Sequence, residues 1–352
     1  MVGNLLVVFG GTASSEGGSF TYFDDVWALD TDTATSPLLN WTSVSATGSS
    51  KPSARYGHAA TVVGTRVYVF GGRGERGAVF NDLWALDVNT WVWSRLPSSS
   101  APPSPRFGHS LTAVGGRLVV FGGWDGHRAN GEIWVFDEGT LSWSRPRVGG
   151  TPPRARQGHA GALDARAGRL LIWGGVTYTG LRGGDAASAA LSSANNIPEY
   201  LRDTVELDLV SMTWARPRVT GDFPTARAAG ACATLANVLV LFGGWCGPAG
   251  PPQSSTEPTT VTLTHRPGMG FGTTAPPRSV VQVPYGPHAG TSLLDLDSGE
   301  WVTPHVAGTP PGYRYGSSAC ARGLRLYMFG GWQDSKPLSE LLVLDLGALA
   351  GE

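Results

Sequence analysis

Little of this 352-residue chain is charged: 15 %, with Lys51 and Lys336 as the only lysines. The formal net charge is −1 and no block of like charge occurs, which argues against nucleic acid or an anionic membrane as the main partner. Cysteine is scarce as well. Cys232, Cys246 and Cys320 are odd in number and lack paired spacing, so they form neither a disulfide framework nor a zinc site. No apolar run approaches the roughly 20 residues of a membrane-spanning helix. The opening MVGNLLVVFGG is too short and too uncharged for a secretory signal and reads as a strand. The expected setting is cytoplasmic or otherwise intracellular, where the sequon Asn40-Trp41-Thr42 carries no glycan. What the chain does have is 50 Gly and 25 Pro beside 13 Trp and a hydrophobic share of 41 %. That mixture is too apolar for disorder. It suits an all-β protein whose many short strands are separated by turns.

The same sentence is written repeatedly along the chain. Gly-Gly recurs at 10–11, 71–72, 122–123, 174–175, 243–244 and 330–331, each time after a run of β-formers such as RVYVF or RLVVF. A second run follows and ends in Asp, at Asp30, Asp87, Asp137, Asp208, Asp297 and Asp345. A third carries Trp41, Trp93, Trp143, Trp214 or Trp301, and a Pro-x-x-Arg connector then opens the next copy. Each unit reads as four strands: a after the Arg, b ending in Gly-Gly, c ending in Asp, and d with the Trp. Gly-Gly permits positive φ and close backbone approach, Asp closes a turn on its own backbone, and Trp offers apolar surface to a neighbouring sheet. One such sheet cannot bury both faces alone, so the copies must stack.

These marks resemble the kelch repeat, in the subtype whose strand a opens with Arg-x-Gly-His, as at Arg55, Arg106 and Arg156. The resemblance covers nearly the whole chain and implies a single kelch β-propeller domain over 1–352, with six blades of up to four antiparallel strands and strand a innermost. The repeats delimit blade 1 at 1–46, blade 2 at 55–98, blade 3 at 106–148, blade 4 at 156–219, blade 5 at 227–306 and blade 6 at 314–347. Blade 1 has no strand a and blade 6 no strand d. Two readings stay open: a fragment of a longer protein, which is preferred, or an imperfectly closed ring.

In such a ring the b–c loops and d–a connectors share one face. The chain spends its extra residues there, in b–c loops of about 176–202 and 245–290. The stretch AASAALSSA within the first could form a short helix. Arg55, Arg106, Arg156, Arg227 and Arg314 lie at the connectors of the same face. The resemblance implies contact with acidic partner peptides, as in kelch substrate adaptors, and guanidinium forks suit carboxylates. The alternative is that each arginine pairs with an acid opening strand c: Asp25, Asp82, Glu132, Asp203 or Glu340. Trp124, Trp245 and Trp332, each directly after a Gly-Gly, are either partner anchors or packing against the next blade.

No catalytic residue, metal site or cofactor is implied by the repeats. His58, His109 and His159 occupy equivalent places in neighbouring blades, roughly 10 Å apart in such a ring, too far to share an ion with bonds of about 2.1 Å. Blades 5 and 6 replace them with Gly230 and Ser317, so inter-blade structure is the better reading. The Glu-x-x-x-Asp-x-x-x-His iron motif of nitrile-specifier proteins is matched by Glu199 and Asp203 but broken by Leu207. Cys246, His265, Tyr285 and His288 lack the spacing of a galactose-oxidase-like copper site. The expectation is a non-catalytic interaction module that takes a protein or acidic peptide on the b–c/d–a face. A metal-dependent enzyme or specifier with its site in the blade 5 loop, and a structural or oligomerisation segment, are the alternatives.

Overall fold

Five β-formers precede each Gly-Gly, and in every copy they form a strand that pairs antiparallel with the run ending in Asp. The computed structural model describes residues 1–14, 19–32, 40–179, 197–247, 290–308 and 311–347. These form six small antiparallel sheets arranged in a ring, a six-bladed β-propeller. Blade 2 shows the plan: a, Ala59–Val63; b, Arg66–Phe70; c, Leu83–Asp87; d, Val92–Arg95. Blade 1 has strands b to d at Leu5–Ser14, Phe20–Asp30 and Trp41–Val44. Blade 6 has a to c at Ser318–Arg322, Arg325–Phe329 and Leu341–Asp345.

Two features were not anticipated. The connectors leaving blades 3 and 4 pair in parallel with strand d of the following blade, Gly149–Gly150 beside Thr213–Ala215 and Thr220–Gly221 beside Glu300–Val302. Each thus adds a fifth strand that stitches neighbours together. In blade 5 the Asp that closes the c–d turn is Asp295, not Asp297. Strand c pairs Val238 with Asp295, and Asp295 Oδ1 accepts from the backbone N–H of Asp297 and Ser298 at 2.9 and 2.8 Å. The run Leu-Asp-Leu-Asp offers two acids at strand spacing, and only pairing to strand b selects between them.

The blades are joined by aromatic pairs. The residue before Gly-Gly meets the strand-d Trp of the next blade: Phe9–Trp93 at 5.0 Å, Phe70–Trp143 at 4.9 Å, Phe121–Trp214 at 5.2 Å and Trp173–Trp301 at 6.0 Å between ring centroids. The sixth blade packs on the first through the same contact, Phe329–Trp41 at 5.1 Å. Arg322 fastens that junction by donating to Thr31 Oγ1 at 2.9 Å and to the Asn4 side-chain oxygen.

Arg-x-Gly-His and Gly-Gly form one device. The arginine carbonyl accepts from the second Gly of the preceding blade, as in Gly72 N to Arg106 O at 2.8 Å and Gly123 N to Arg156 O at 2.9 Å. Its side chain donates to the first Gly of its own blade, Arg106 to Gly122 O at 3.0 Å and Arg156 to Gly174 O at 2.8 Å. Gly71 shows why glycine is required. Its φ is 65°, and a Cβ there would stand 2.6 Å from Arg106 O and 2.8 Å from His109 Cε1. The third motif residue closes a hydrogen-bond chain across strands a: Gly108 N to Gly57 O, Gly158 N to Gly108 O, Ala229 N to Gly158 O and Gly316 N to Ala229 O. Ala229 holds φ 55° where the other blades use glycine.

Burial first, and then the adjacent arginine, lowers the imidazole pKa to about 4 at His58 and about 3 at His159, and that of His109 well below its ordinary value. His159 sits edge-on to Phe121 and meets Ser110 Oγ at 3.0 Å. The three rings are neutral in the fold.

Three outcomes follow from these contacts. Trp93→Ala should lose roughly 3–5 kcal/mol in denaturant unfolding. Trp93→Phe should lose less, because the indole N–H has no acceptor among the described residues. Ala229→Gly should raise stability by about 1 kcal/mol, as relief of left-handed strain requires; a loss would refute the strain. The histidines protonate in the unfolded chain near pH 6.5 but resist it when folded. Their contribution is therefore complete above pH 6.5 and shrinks below it, by about 1 kcal/mol per pH unit per histidine. Unfolding free energies at pH 7, 6 and 5 should decline steadily, and a flat profile would contradict neutral burial.

Candidate functional site

Antiparallel pairing puts the a–b and c–d turns at one end of each blade and the b–c loops and d–a connectors at the other. All five arginines lie at that second end, and all five are buried, between 0 and 5 % exposed. Arg55 grips Asp82 with both terminal nitrogens, at 2.6 and 3.0 Å, and lies over the Phe80 ring at 4.2 Å. Arg156 holds Asp203 in the same way, at 2.7 and 2.9 Å. Arg314 donates to Glu340 at 2.9 Å, and Arg106 stands 3.7 Å from Glu132. Burial alone would raise the carboxyl pKa of Asp82 and Asp203, but the forks outweigh it and hold both below the ordinary range. Four of the five arginines thus face the acid that opens strand c of their own blade. Among the described residues Arg227 faces none, and Gly290 occupies that place in blade 5.

Sequence reasoning singled out three tryptophans here and missed the larger set to which they belong. The residue after each Gly-Gly bridges back to the residue after each arginine: Phe107 with Trp124, Ala228 with Trp245, Tyr315 with Trp332. From these positions a belt of rings runs around the face. Phe20 meets Trp332 at 6.1 Å, Tyr22 meets Tyr56 at 5.8 Å, and Tyr56 meets Phe107 at 6.4 Å. Trp124 meets Tyr178 at 4.8 Å, Tyr200 is hydrogen-bonded to Trp245, and Trp245 meets Tyr315 at 5.2 Å. Every junction between neighbouring blades carries one of these contacts. The tryptophans pack on the adjacent blade and also remain half-exposed, while Phe20 is 59 % exposed. The signal available in sequence was the aromatic character of the residue following the arginine, Tyr56, Phe107 and Tyr315.

Glu199 and Asp203 do not converge on a ligand. Glu199 is held by Arg154 at 2.5 and 2.6 Å, and Asp203 is shared by Arg156 and Arg216. Among the described residues no group of three His, Cys, Asp or Glu is placed to hold one metal ion. His265, Tyr285, His288 and the small-residue stretch at 186–194 lie outside the described residues, as do most of the two long loops. Among the described residues no helix is long and apolar enough to cross a membrane.

Comparison with known proteins agrees with this architecture. The KLHDC2/KLHL20/DRC7 Kelch-repeats domain matches residues 1–244. Host cell factor 2 of Homo sapiens is 26 % identical over 301 residues, 78 % of this chain and 33 % of that protein. Acyl-CoA-binding domain-containing protein 4 of Arabidopsis thaliana is 27 % identical over 350 residues, 96 % of this chain and 44 % of that protein. Host cell factor 1 of Homo sapiens is 29 % identical over 263 residues, 68 % of this chain and 11 % of that protein. The chain therefore spans less than half the length of each of these relatives. With six Gly-Gly repeats closed into a ring and this match over its first 244 residues, the chain belongs to the kelch-repeat family.

Proposed function

We propose that the chain is a protein-interaction module whose partner docks on the face carrying the b–c loops and d–a connectors. The observation that carries this reading is the half-exposed aromatic belt on that face. Tyr and Trp present large rigid surfaces with a polar edge, and such residues dominate the energetics of protein interfaces. The belt is shared among all six blades, so a docking partner would touch the whole ring. The described flanks of the blade 4 and blade 5 insertions lie at the same end. Kelch membership and the likeness to the host cell factors support the reading at the level of the family. Trp124, Trp245 and Trp332 are anchors in this proposal. Arg55, Arg106, Arg156 and Arg314 contribute through the carboxylates they position, and Arg227 contributes directly.

Affinity capture from a lysate of the source organism tests it, comparing the intact chain with Phe20→Ser/Trp332→Ser. The double variant should lose the captured partner while melting within a few degrees of the parent, because both side chains remain partly exposed. Deleting 178–200 or 248–286 should weaken capture without abolishing cooperative melting. The same set of proteins on the parent, the double variant and both deletions would remove the docking face from consideration.

A further inference from the structure

An Asp closes the c–d turn of each blade, and in blade 5 it lacks the cation that accompanies it elsewhere. Strand b opens with Arg66, Arg117 and Arg325 in blades 2, 3 and 6, each directly opposite the turn Asp of its own sheet and 4.0, 3.3 and 2.7 Å from it. In blade 5 that place is taken by Val238, opposite Asp295. Oδ1 of Asp295 is committed to the turn, accepting from Asp297 N at 2.9 Å, Ser298 N at 2.8 Å and Ser298 Oγ at 3.1 Å. Oδ2 has no donor among the described residues, although Asp295 is only 2 % exposed. The side chains of Asp87, Asp137 and Asp345 are instead 30 to 37 % exposed, with water on one side. A buried carboxylate oxygen without a donor is costly.

Asp295 lines a cavity of about 190 Å³ between blades 4 and 5. That is more than ten times the roughly 10–15 Å³ that lodges one water. Short side chains accompany the space. At the junction of blades 2 and 3, the third residue of strand b is Tyr68, whose hydroxyl donates across to Glu138, the residue after the turn Asp of blade 3. At the junction of blades 4 and 5 the same two places hold Leu171 and Leu296, and both line the cavity. Three carboxylates line it as well, Glu206, Asp295 and Asp297, against the two guanidiniums of Arg169 and Arg218. Arg169 holds Glu206 at 2.7 Å, and Asp297 accepts from Arg166 at 3.2 Å and Asn237 at 3.1 Å. Asp295 Oδ2 is thus the acceptor left over, beside the apolar surfaces of Leu171 and Leu294. Asp297, Ser298 and Arg218 are exposed, so the cavity opens to solvent beside the c–d turn of blade 5.

We infer that this cavity binds a small alkylammonium compound, which donates N–H to Asp295 Oδ2 and lays its alkyl chain against Leu171 and Leu294. The ligand supplies the cation that arginines supply in blades 2, 3 and 6. An ammonium is a compact charge with three donors, and a charge-assisted bond to a desolvated carboxylate is roughly twice as strong as a neutral one. The excess of carboxylates in the lining disfavours an anion, and the need for a donor disfavours a quaternary cation. The site belongs to the turn end of blade 5, away from the loop-bearing face, and is independent of the docking reading.

The test follows the melting temperature of the intact chain in propylammonium, tetramethylammonium and sodium chlorides at equal ionic strength. Propylammonium should raise it by about 2 °C or more at a tenfold excess over its dissociation constant. Tetramethylammonium, which has charge but no N–H, should do no more than sodium. Asp295→Asn keeps an acceptor for the turn and should lose the propylammonium shift. Leu171→Phe, which fills the cavity, should lose it too and serves if the first variant does not fold. Equal shifts in all three salts, or a propylammonium shift undiminished in both variants, overturn the site. A larger shift in magnesium chloride, lost in Asp295→Asn, replaces the ammonium with a metal ion and overturns the assignment. Tighter binding of N-acetyl-lysine methylamide than of propylammonium overturns the free ligand in favour of a protein side chain. A shift seen only in Arg218→Ala means that Arg218 itself answers Asp295, and overturns the site in the intact chain. Capture by the Phe20/Trp332 variant is a separate readout, which none of these results alters.

Discussion

The hydrogen bonds of one arginine decide how each blade meets the next. Its carbonyl receives the N–H of the preceding blade's second glycine, and its guanidinium reaches the carbonyl of its own blade's first glycine. Both ends are buried, so both must be satisfied. Because the glycines take positive φ in contact with that arginine's carbonyl, they admit no side chain, whereas the histidine gives way to Gly230 and Ser317 in blades 5 and 6. The repeat is therefore a joint written in two pieces, 33 residues apart from Gly123 to Arg156 and 70 apart from Gly244 to Arg314.

A second layer of contact makes the joint rigid. The aromatic residue at the end of strand b lies against the strand-d Trp of the next blade, and the junction between blades 6 and 1 uses the same pair through Phe329 and Trp41. The ring is thus continued across its first and last blades by ordinary side-chain packing, with Arg322 tying the two sheets near Thr31 and Asn4. Blade 5 departs furthest from the plan. It has Ala229 in a left-handed conformation, Gly230 for the histidine and Gly290 for the acid, and it carries the longest insertion of the six.

Seen from that face, architecture and recognition use the same residues differently. Four arginines are spent inside the fold by Asp82, Glu132, Asp203 and Glu340. The aromatic belt is different in kind. Its rings contact one another across blade boundaries and still present area to water, so they can stabilise the ring and a bound surface together.

The sequence by itself determined the six-fold repeat, the all-β class, the four-strand blade and the face on which the long loops emerge. Those follow from local chemistry that is legible residue by residue: strand runs, positive-φ glycines, turn-closing acids and their spacing. It also named the acids that pair with Arg55, Arg106, Arg156 and Arg314, because each sits at a fixed place in its own copy. What only the tertiary structure decided depends on neighbours distant in the chain. Choosing Asp295 over Asp297 required strand register. The belt joining Phe20 to Trp332 required the ring to close over more than 300 residues. That Arg227 faces no acid among the described residues was written in the sequence as Gly290, but it acquired meaning only once the pairing of Thr291 with Phe242 put that glycine in the place of Asp82. Spacing along a chain encodes local pairing, whereas contacts between blades are fixed only when all six are packed around one axis.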